Sequence, residues 1–280
     1  MKVFSKVSDL RKALEECRKE GKSIGLVPTM GALHSGHISL VDKCVKENDV
    51  CVVSIFVNPT QFNNATDLEK YPRTVEADVK LLESANCTFA FTPSVEEIYP
   101  TEDTRVFDFS PLDQVMEGPA RPGHFNGVGQ IVSKLFDIVE PQKAYFGEKD
   151  FQQLAIIREL VRRYSYNIEI IGCPIVREES GLALSSRNAR LSESDKISAV
   201  KISQALFQSV KMQKTHSLQE VKQWVIDTIN EDPILEVEYY EIVNSQTLQS
   251  VNDWDDAEGI TGCITVYCGE VRLIDNIQYK

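Results

Sequence analysis

Val-Pro-Thr-Met-Gly-Ala-Leu-His-Ser-Gly-His, residues 27–37, joins an apolar run to an amphipathic one, and its reading decides the fold. Before it, residues 23–28 (Ser-Ile-Gly-Leu-Val-Pro) predict a short buried strand. After it, residues 37–47 predict a helix with Ile38, Leu40, Val41, Cys44 and Val45 inward. The next run, residues 50–57, is nearly all apolar and suits a parallel strand covered on both faces. Working outward, the pattern predicts a helix over 9–20, with Leu10, Ala13, Leu14 and Cys17 inward, and a helix over 74–85. A strand over 87–92, a helix over 127–139, a strand over 143–147, a helix over 150–164 and a strand over 167–173 follow. Strands alternating with helices imply an α/β fold, a doubly wound, mostly parallel, Rossmann-like sheet with right-handed crossovers. Past residue 176 the order changes to helices near 192–212 and 217–230, then strands at 235–244, 261–268 and 270–277. Cys268-Gly269-Glu270 reads as a hairpin turn, so a smaller C-terminal α+β domain is expected.

The 280 residues are 42% hydrophobic and 26% charged, enough to bury a core. A formal net charge of −12 repels phosphate backbones, so no nucleic-acid partner is expected. A small anion is still compatible with locally placed cations. No stretch approaches the roughly 20 apolar residues that span a bilayer. Met1 to Arg11 alternates charges without an apolar h-region, so neither a membrane partner nor a secretory leader is expected. The seven cysteines (17, 44, 51, 87, 173, 263 and 268) are odd in number and form no Cys-x-x-Cys pair. They read as buried thiols in a reducing cytoplasm, without zinc-ligand spacing.

Ligands of open α/β sheets bind outside the carboxyl ends of the strands. Three predicted strand ends carry dense polar loops: Pro28 to His37, Asn58-Pro59-Thr60-Gln61-Phe62, and Gly147-Glu148-Lys149-Asp150-Phe151-Gln152-Gln153. In the first, His34 and His37 can share one face of a helix start. Gly36 lets a ligand approach the backbone, and a helix N-terminus attracts phosphate. Two imidazoles there can donate to phosphate oxygens or to a leaving group. The plainer alternative is a pair of surface or capping histidines, and a metal pair lacks a third ligand nearby in sequence. Lys149, at a helix start, adds a positive charge that calls for an anion, and Gln153 lies a turn further on. The amides of Asn58 and Gln61 suit either a small ligand with hydroxyls and a carboxylate or an ordinary turn. Leu184-Ser185-Ser186-Arg187-Asn188 offers two hydroxyls and a guanidinium for phosphate oxygens.

The first loop resembles the His-x-Gly-His signature of the HIGH-motif nucleotidyltransferases and class I aminoacyl-tRNA synthetases. Leu184 to Asn188 stands where that superfamily has its Lys-Met-Ser-Lys-Ser-like loop. With Phe56–Phe62 (FVNPTQF), Tyr71-Pro72-Arg73-Thr74, Arg121-Pro122-Gly123-His124-Phe125, Phe146–Leu154 (FGEKDFQQL) and Gly181–Asn188 (GLALSSRN), the chain is similar to the pantoate–β-alanine ligase family. The matching segments lie between residues 24 and 190, and the C-terminal third carries none. Asn126 stands where some relatives have a charged residue.

The resemblance implies ATP-dependent condensation of (R)-pantoate with β-alanine through a pantoyl adenylate, with Mg²⁺ accompanying ATP, in a cytoplasmic homodimer. It assigns ATP to Met30, Gly31, Ala32, Leu33, His34, Ser35, Gly36 and His37, and to Gly147, Glu148, Lys149, Asp150, Val176, Leu184, Ser185, Ser186 and Arg187. Of these, His37, His34, Lys149 and Arg187 would be catalytic. Gln61 and Gln153 would hold pantoate, and Gln61 with Asn58 would place β-alanine. The implied segmentation is a Rossmann-like domain at 1–176, a hinge and phosphate loop at 177–188, and a lid domain at 189–280 that excludes water. Two rivals are a nucleotidyltransferase that stops after moving AMP or CMP to a phosphate, and a nucleotide-sensing module without turnover.

Overall fold

The apolar runs flanking the quoted loop pair side by side, all in one direction. In the computed structural model, which describes residues 1–280, the first sheet comprises six strands. They are β1 (Lys2–Phe4), β2 (Ile24–Thr29), β3 (Val50–Ile55), β4 (Phe89–Phe91), β5 (Lys143–Gly147) and β6 (Glu169–Cys173). Their spatial order is β1-β4-β3-β2-β5-β6 and every ladder is parallel. Around them run α1 (Val7–Lys19), α2 (Ser35–Glu47), α3 (Ala65–Lys70), α4 (Val75–Ser84), α5 (Val95–Ile98), α6 (Glu117–Ala120), α7 (His124–Val139) and α8 (Phe151–Arg163). All six residues of β3 are buried, as a strand covered on both faces requires. The doubly wound sheet expected from the sequence is therefore present. β1 escapes the periodicity because three residues carry too little pattern to read.

The chain winds outward from β2 to β3 and β4, then returns to lay β5 on the other side of β2, so the switch point lies between β2 and β5. There the two strands part. β2 pairs with β3 along its whole length, but with β5 only at Gly25 and Leu26. Ile24 O accepts from Gln142 N, so even-numbered residues of β2 turn their amides toward β5. Thr29 O accepts from Phe56 N, so odd-numbered ones face β3. Pro28 falls on the β5 side and has no N–H to donate, which stops that ladder. A crevice at the carboxyl ends of β2 and β5 follows from one imino acid.

The C-terminal part holds α9 (Glu193–Met212), α10 (Leu218–Asn230), β7 (Leu235–Asn244), β8 (Ile260–Cys268) and β9 (Val271–Gln278). The three strands form an antiparallel sheet in the order β7-β8-β9, and Gly269 (φ +57°) turns the expected hairpin. Ser192 with Asp195 and Ser217 with Glu220 close capping boxes at the two helix starts. Ala199, Ile202, Leu206, Val221, Val225, Ile264 and Val266 are among the residues of the core beneath them.

The contacts divide the chain into two compact units. The first is Met1–Ser110, Gly118–Glu148 and Gln153–Pro174; the second is Pro111–Glu117, Lys149–Gln152 and Ile175–Lys280. Within the second unit, Gln152 Nε2 donates to Leu112 O and Val115 O, both at 2.8 Å, and its Oε1 accepts from Glu117 N at 3.0 Å. Arg272 then grips the Glu117 carboxylate with two bonds of 2.9 and 2.7 Å. These ties hold two short upstream pieces in a unit otherwise made of C-terminal residues. The main break, between Pro174 and Ile175, lies beside the expected end of the first segment at 176, and the two upstream pieces have no counterpart in the expected segmentation.

Within the first unit α7 lies against the Pro59–Gln61 turn so closely that a Cβ on Gly127 would fall 2.6 Å from Gln61 Cα. Gly127→Ala is expected to lower stability by about 1–3 kcal/mol, the usual effect of overpacking rigid backbone. Urea denaturation of the variant beside the parent checks it.

Candidate functional site

The crevice is lined from β2 onward by a turn that reverses the chain from strand to helix. Thr29 Oγ1 donates to Ser54 O at 2.7 Å and accepts from Gly31 N at 3.2 Å. Gly31 (φ +83°) and Ala32 (φ +50°) then take left-handed conformations, which glycine tolerates and alanine does not without support. The support is Asp78 of α4, 1% exposed: its Oδ2 accepts from Ala32 N at 3.0 Å and its Oδ1 from Leu33 N at 2.8 Å. Thr74 Oγ1 adds a third bond to Oδ1 at 3.2 Å.

His34 is the N-cap of α2, where serine, threonine, aspartate or asparagine is usual. Its Nδ1 accepts from Gly36 N at 3.2 Å, while His37 Nδ1 accepts from His34 N at 3.3 Å. The two rings, 4.1 Å apart between centroids, close a reciprocal capping box. An Nδ1 that accepts has no proton, so each neutral ring carries its hydrogen on Nε2. His37 N and Ile38 N both donate to His34 O, at 2.8 and 3.1 Å. The histidines therefore do cap, the plainer of the sequence readings, and Gly36 N, His37 N and Ile38 N all turn toward His34. The hydrogen of each neutral ring is therefore on Nε2.

Beside this turn lies an amide cluster. Asn58 is 1% exposed. Its Nδ2 donates to Gln61 Oε1 (3.2 Å) and Gly127 O (3.1 Å), and its Oδ1 accepts from Tyr99 Oη (2.8 Å) and Thr60 Oγ1 (3.3 Å). All four hydrogen-bonding positions of that amide are taken, so the expected β-alanine contact of Asn58 is not open here. Asn58 positions Gln61 instead. Burial pushes the Tyr99 phenol above its ordinary range, which keeps it a donor to Asn58. Gln61 Nε2 donates to Met30 Sδ at 3.2 Å, a weak acceptor that a carboxylate or hydroxyl would replace. The Gln61 carbonyl pairs with His124 Nδ1 at 2.9 Å, so here the proton sits on Nδ1, and Nε2 accepts from Arg121 Nη1 at 3.1 Å. Asn126, on the same helix, ties down residues 105–107: its Oδ1 accepts from Phe107 N (2.8 Å) and its Nδ2 donates to Arg105 O (3.3 Å). At the end of β5, Glu148 N donates to Cys173 O at 2.8 Å. No atom lies within 4 Å of where a Gly147 Cβ would be, so that side of the backbone is open. Gln153 is half-buried on α8.

The other predicted residues gather in the second unit. Leu184 N donates to Val176 O at 3.0 Å, across a tight hairpin bridged at Arg177 and Ala183. Ser185 caps the turn Ser186–Arg190 by accepting from Arg187 N at 3.2 Å. The Arg177 guanidinium forks onto Asp275 at 2.6 and 2.9 Å. Asn276 Nδ2 holds Lys149 O at 3.0 Å. Desolvation pushes the Lys149 ammonium below the ordinary lysine range; Asp150 and Asp275 oppose that and Arg187 and Arg177 add to it. Lys149, Asp150, Ser185 and Arg187 thus form one electrostatic neighbourhood.

The chain is similar to known proteins over its whole length. The sequence model of the family described as pantoate-beta-alanine ligase matches residues 2–278. The chain is 61% identical to a pantothenate synthetase of Bacteroides fragilis over 280 residues, all of this chain and 99% of that one. It superposes on a crystal structure of pantothenate synthetase from Thermus thermophilus with a TM-score of 0.94 at 41% identity, covering 100% of this chain and 99% of that one. A pantoate-beta-alanine ligase from Francisella tularensis, complexed with beta-gamma ATP and beta-alanine, gives a TM-score of 0.84 at 38% identity over 100% of this chain and 98% of that one.

Two residues that shape the site had no sequence signal of their own, Asp78 and Tyr99, and His124 was marked only as part of the Arg121–Phe125 segment. Asp78 is one acidic residue on an amphipathic helix, and only its burial sets it apart. Asp78→Asn keeps the shape but turns one acceptor into a donor facing a backbone N–H. It is expected to cost about 1–3 kcal/mol, the penalty of an unsatisfied buried amide, seen as a lower urea midpoint with loss of activity.

Proposed function

The chain belongs to the pantoate-beta-alanine ligase family, and from that premise we propose which of its residues carry out the reaction. The activity is ATP-dependent ligation of pantoate to β-alanine. Pantoate's carboxylate oxygen attacks the α-phosphorus of ATP, the bond to the bridging oxygen of pyrophosphate breaks, and pantoyl adenylate forms. The β-alanine nitrogen then attacks the acyl carbon, loses a proton and expels AMP, leaving the amide. Neither step needs a protein nucleophile. Both need charge neutralised and reactants aligned.

The observation that carries the assignment is the parted β2–β5 end, bordered by two capped histidines of fixed tautomer. We assign ATP to Met30, Gly31, Ala32, Leu33, His34, Ser35, Gly36 and His37, with the Nε2–H groups of His34 and His37 donating to phosphate oxygens. The cap supports this role, since it holds each ring by Nδ1 and aims the other nitrogen without rotamer loss on binding. Gly147, Glu148, Lys149, Asp150, Val176, Leu184, Ser185, Ser186 and Arg187 are assigned to the same nucleotide. The partly desolvated Lys149 ammonium and the Arg187 guanidinium would meet the phosphates, and the Ser185 and Ser186 hydroxyls would add neutral donors. Gln61 Nε2 would leave Met30 Sδ for pantoate, Gln153 would hold pantoate's other end, and Gln61 would then orient β-alanine.

Mg²⁺ is proposed to arrive bound to ATP phosphates, whose charge it neutralises. No three His, Cys, Asp or Glu side chains gather in a group able to hold it, so no protein ligand is assigned and no step is routed through it. All seven cysteines are free, six of them buried, which suits a reducing cytoplasm. The proposal includes a homodimer, with no interface residues assigned. No helix is long and apolar enough to cross a membrane.

Incubation of the purified protein with ATP, pantoate and β-alanine is expected to give AMP, pyrophosphate and an amide in equal amounts. AMP transfer to a phosphate acceptor, or binding without turnover, would refute the assignment. His37→Ala is expected to lower turnover by about 10²-fold, the scale of one positioned donor. Pyrophosphate release at a near-parental rate would remove His37 from the chemistry.

A further inference from the structure

In the second unit one buried polar atom lacks a protein partner. Asn188 is 7% exposed, and its Nδ2 donates to Glu178 Oε1 at 3.2 Å and to Ala183 O at 3.1 Å. Both partners only accept, which fixes the amide's orientation and leaves Oδ1 as an acceptor to which no protein group donates. A buried orphan acceptor is rare in a native fold and calls for a ligand. Asn188 lines a cavity of ≈10 Å³ together with Lys149, Ser185, Asp275 and the apolar side chains of Leu182 and Ile202. That volume holds about one water molecule, and a buried water needs two to four polar partners. Of the residues lining the cavity, Asn188, Lys149, Ser185 and Asp275 carry hydrogen-bonding side chains.

We propose that Asn188 is a positioning residue for Lys149, acting through one water molecule that accepts from the lysine ammonium and donates to Asn188 Oδ1. Asn276 fixes the lysine's backbone, and the water fixes its head. The charged groups around that head are Asp150, Asp275, Arg177 and Arg187, with Glu178 behind the Asn188 amide. The water holds one N–H of the partly desolvated ammonium and leaves the others aimed at a phosphate. This last point rests on the assignment of Lys149 to the nucleotide.

Two variants test the placement in the nucleotide-free enzyme. Ala183→Val adds methyl groups beside the cavity while leaving the backbone carbonyl that holds Asn188 Nδ2, so it displaces the water. Asn188→Asp puts a carboxylate where the orphan oxygen was. Acetylation of Lys149 by acetic anhydride across pH, read by peptide mass spectrometry, reports the neutral amine. The expected result is opposite changes at fixed pH, each roughly threefold, as half a pKa unit produces. Labelling is faster in Ala183→Val, where the ammonium loses an oxygen, and slower in Asn188→Asp, where it gains an anion. A structural role alone would not reverse sign between the two. In Ala183→Val the KM for ATP is expected to rise about tenfold, one charged hydrogen bond's worth, with the KM for pantoate unchanged. Parental labelling of Lys149 in the variants that retain the parental circular dichroism spectrum would overturn the proposal; should Ala183→Val not fold, Asn188→Asp decides alone. Labelling that shifts while ATP kinetics stay parental would keep Asn188 as the partner of Lys149 and detach Lys149 from the nucleotide.

Discussion

Pro28 cannot donate a hydrogen bond toward β5, and the candidate site depends on that. In a parallel sheet every interior residue offers an amide to one neighbour or the other. Without Pro28 the β2–β5 ladder could run on past Leu26, as β2 with β3 runs on to Thr29. The strands would then stay zipped at the switch point. One missing N–H instead turns the middle of a well-paired sheet into an opening, and costs little because it falls where the ladder ends. The tight turn that follows has to start there, so the left-handed Gly31 and Ala32 and the buried Asp78 carboxylate are consequences of the same break.

The imidazoles show how few atoms are left over once such a turn is built. His34 and His37 each give Nδ1 to a backbone amide, whereas His124 gives its Nδ1 proton to a carbonyl and accepts on Nε2. The ring orientation follows from the hydrogen bond the other nitrogen makes. Capping and catalysis are therefore not rival explanations for the two histidines. The cap is what makes an Nε2–H a fixed donor, and a preorganised donor needs no reorganisation when charge develops. The same logic applies to Asn58, whose fully committed amide makes Gln61 rigid on one side and exchangeable on the other.

The fold was largely legible in the sequence because the parallel strands are buried runs and the helices carry clean 3.6-residue stripes. Strand 143–147 and helices 193–212 and 218–230 fall within a residue or two of where periodicity places them. β1 was not legible, since three residues have no period. Helix α7 begins at His124, three residues before its readable stripe; Gly123 (φ +82°) supplies the turn, and His124, Asn126 and Gly127 interrupt the apolar pattern around Phe125. The loop residues were legible as chemistry at strand ends. Their division of labour was not: Asn58 and Gln61 look alike in a sequence, and only the count of occupied hydrogen-bonding positions separates a support from a contact. Asp78 and Tyr99 act through long-range hydrogen bonds, for which a single sequence carries no local mark.

The FGEKDFQQL segment is divided between the two compact units. Gly147 and Glu148 belong to the first unit, Lys149 to Gln152 to the second, and Gln153 to the first again. Gln152 is the residue that makes the excursion stable, with three hydrogen bonds to Pro111–Glu117. A helix start that belonged only to the sheet would leave Lys149 in solvent, where an ammonium is well hydrated and interacts weakly with anions. Tied into the second unit, the same lysine loses water and gains two carboxylates and two guanidiniums as neighbours. The cost of that desolvation is borne by the fold, and it is what makes an incoming anion a stronger partner for Lys149 than it would be on an open loop. The chain places its desolvated lysine four residues from Gln153, so one short helical segment joins the cation assigned to the nucleotide to the amide assigned to the acid it activates.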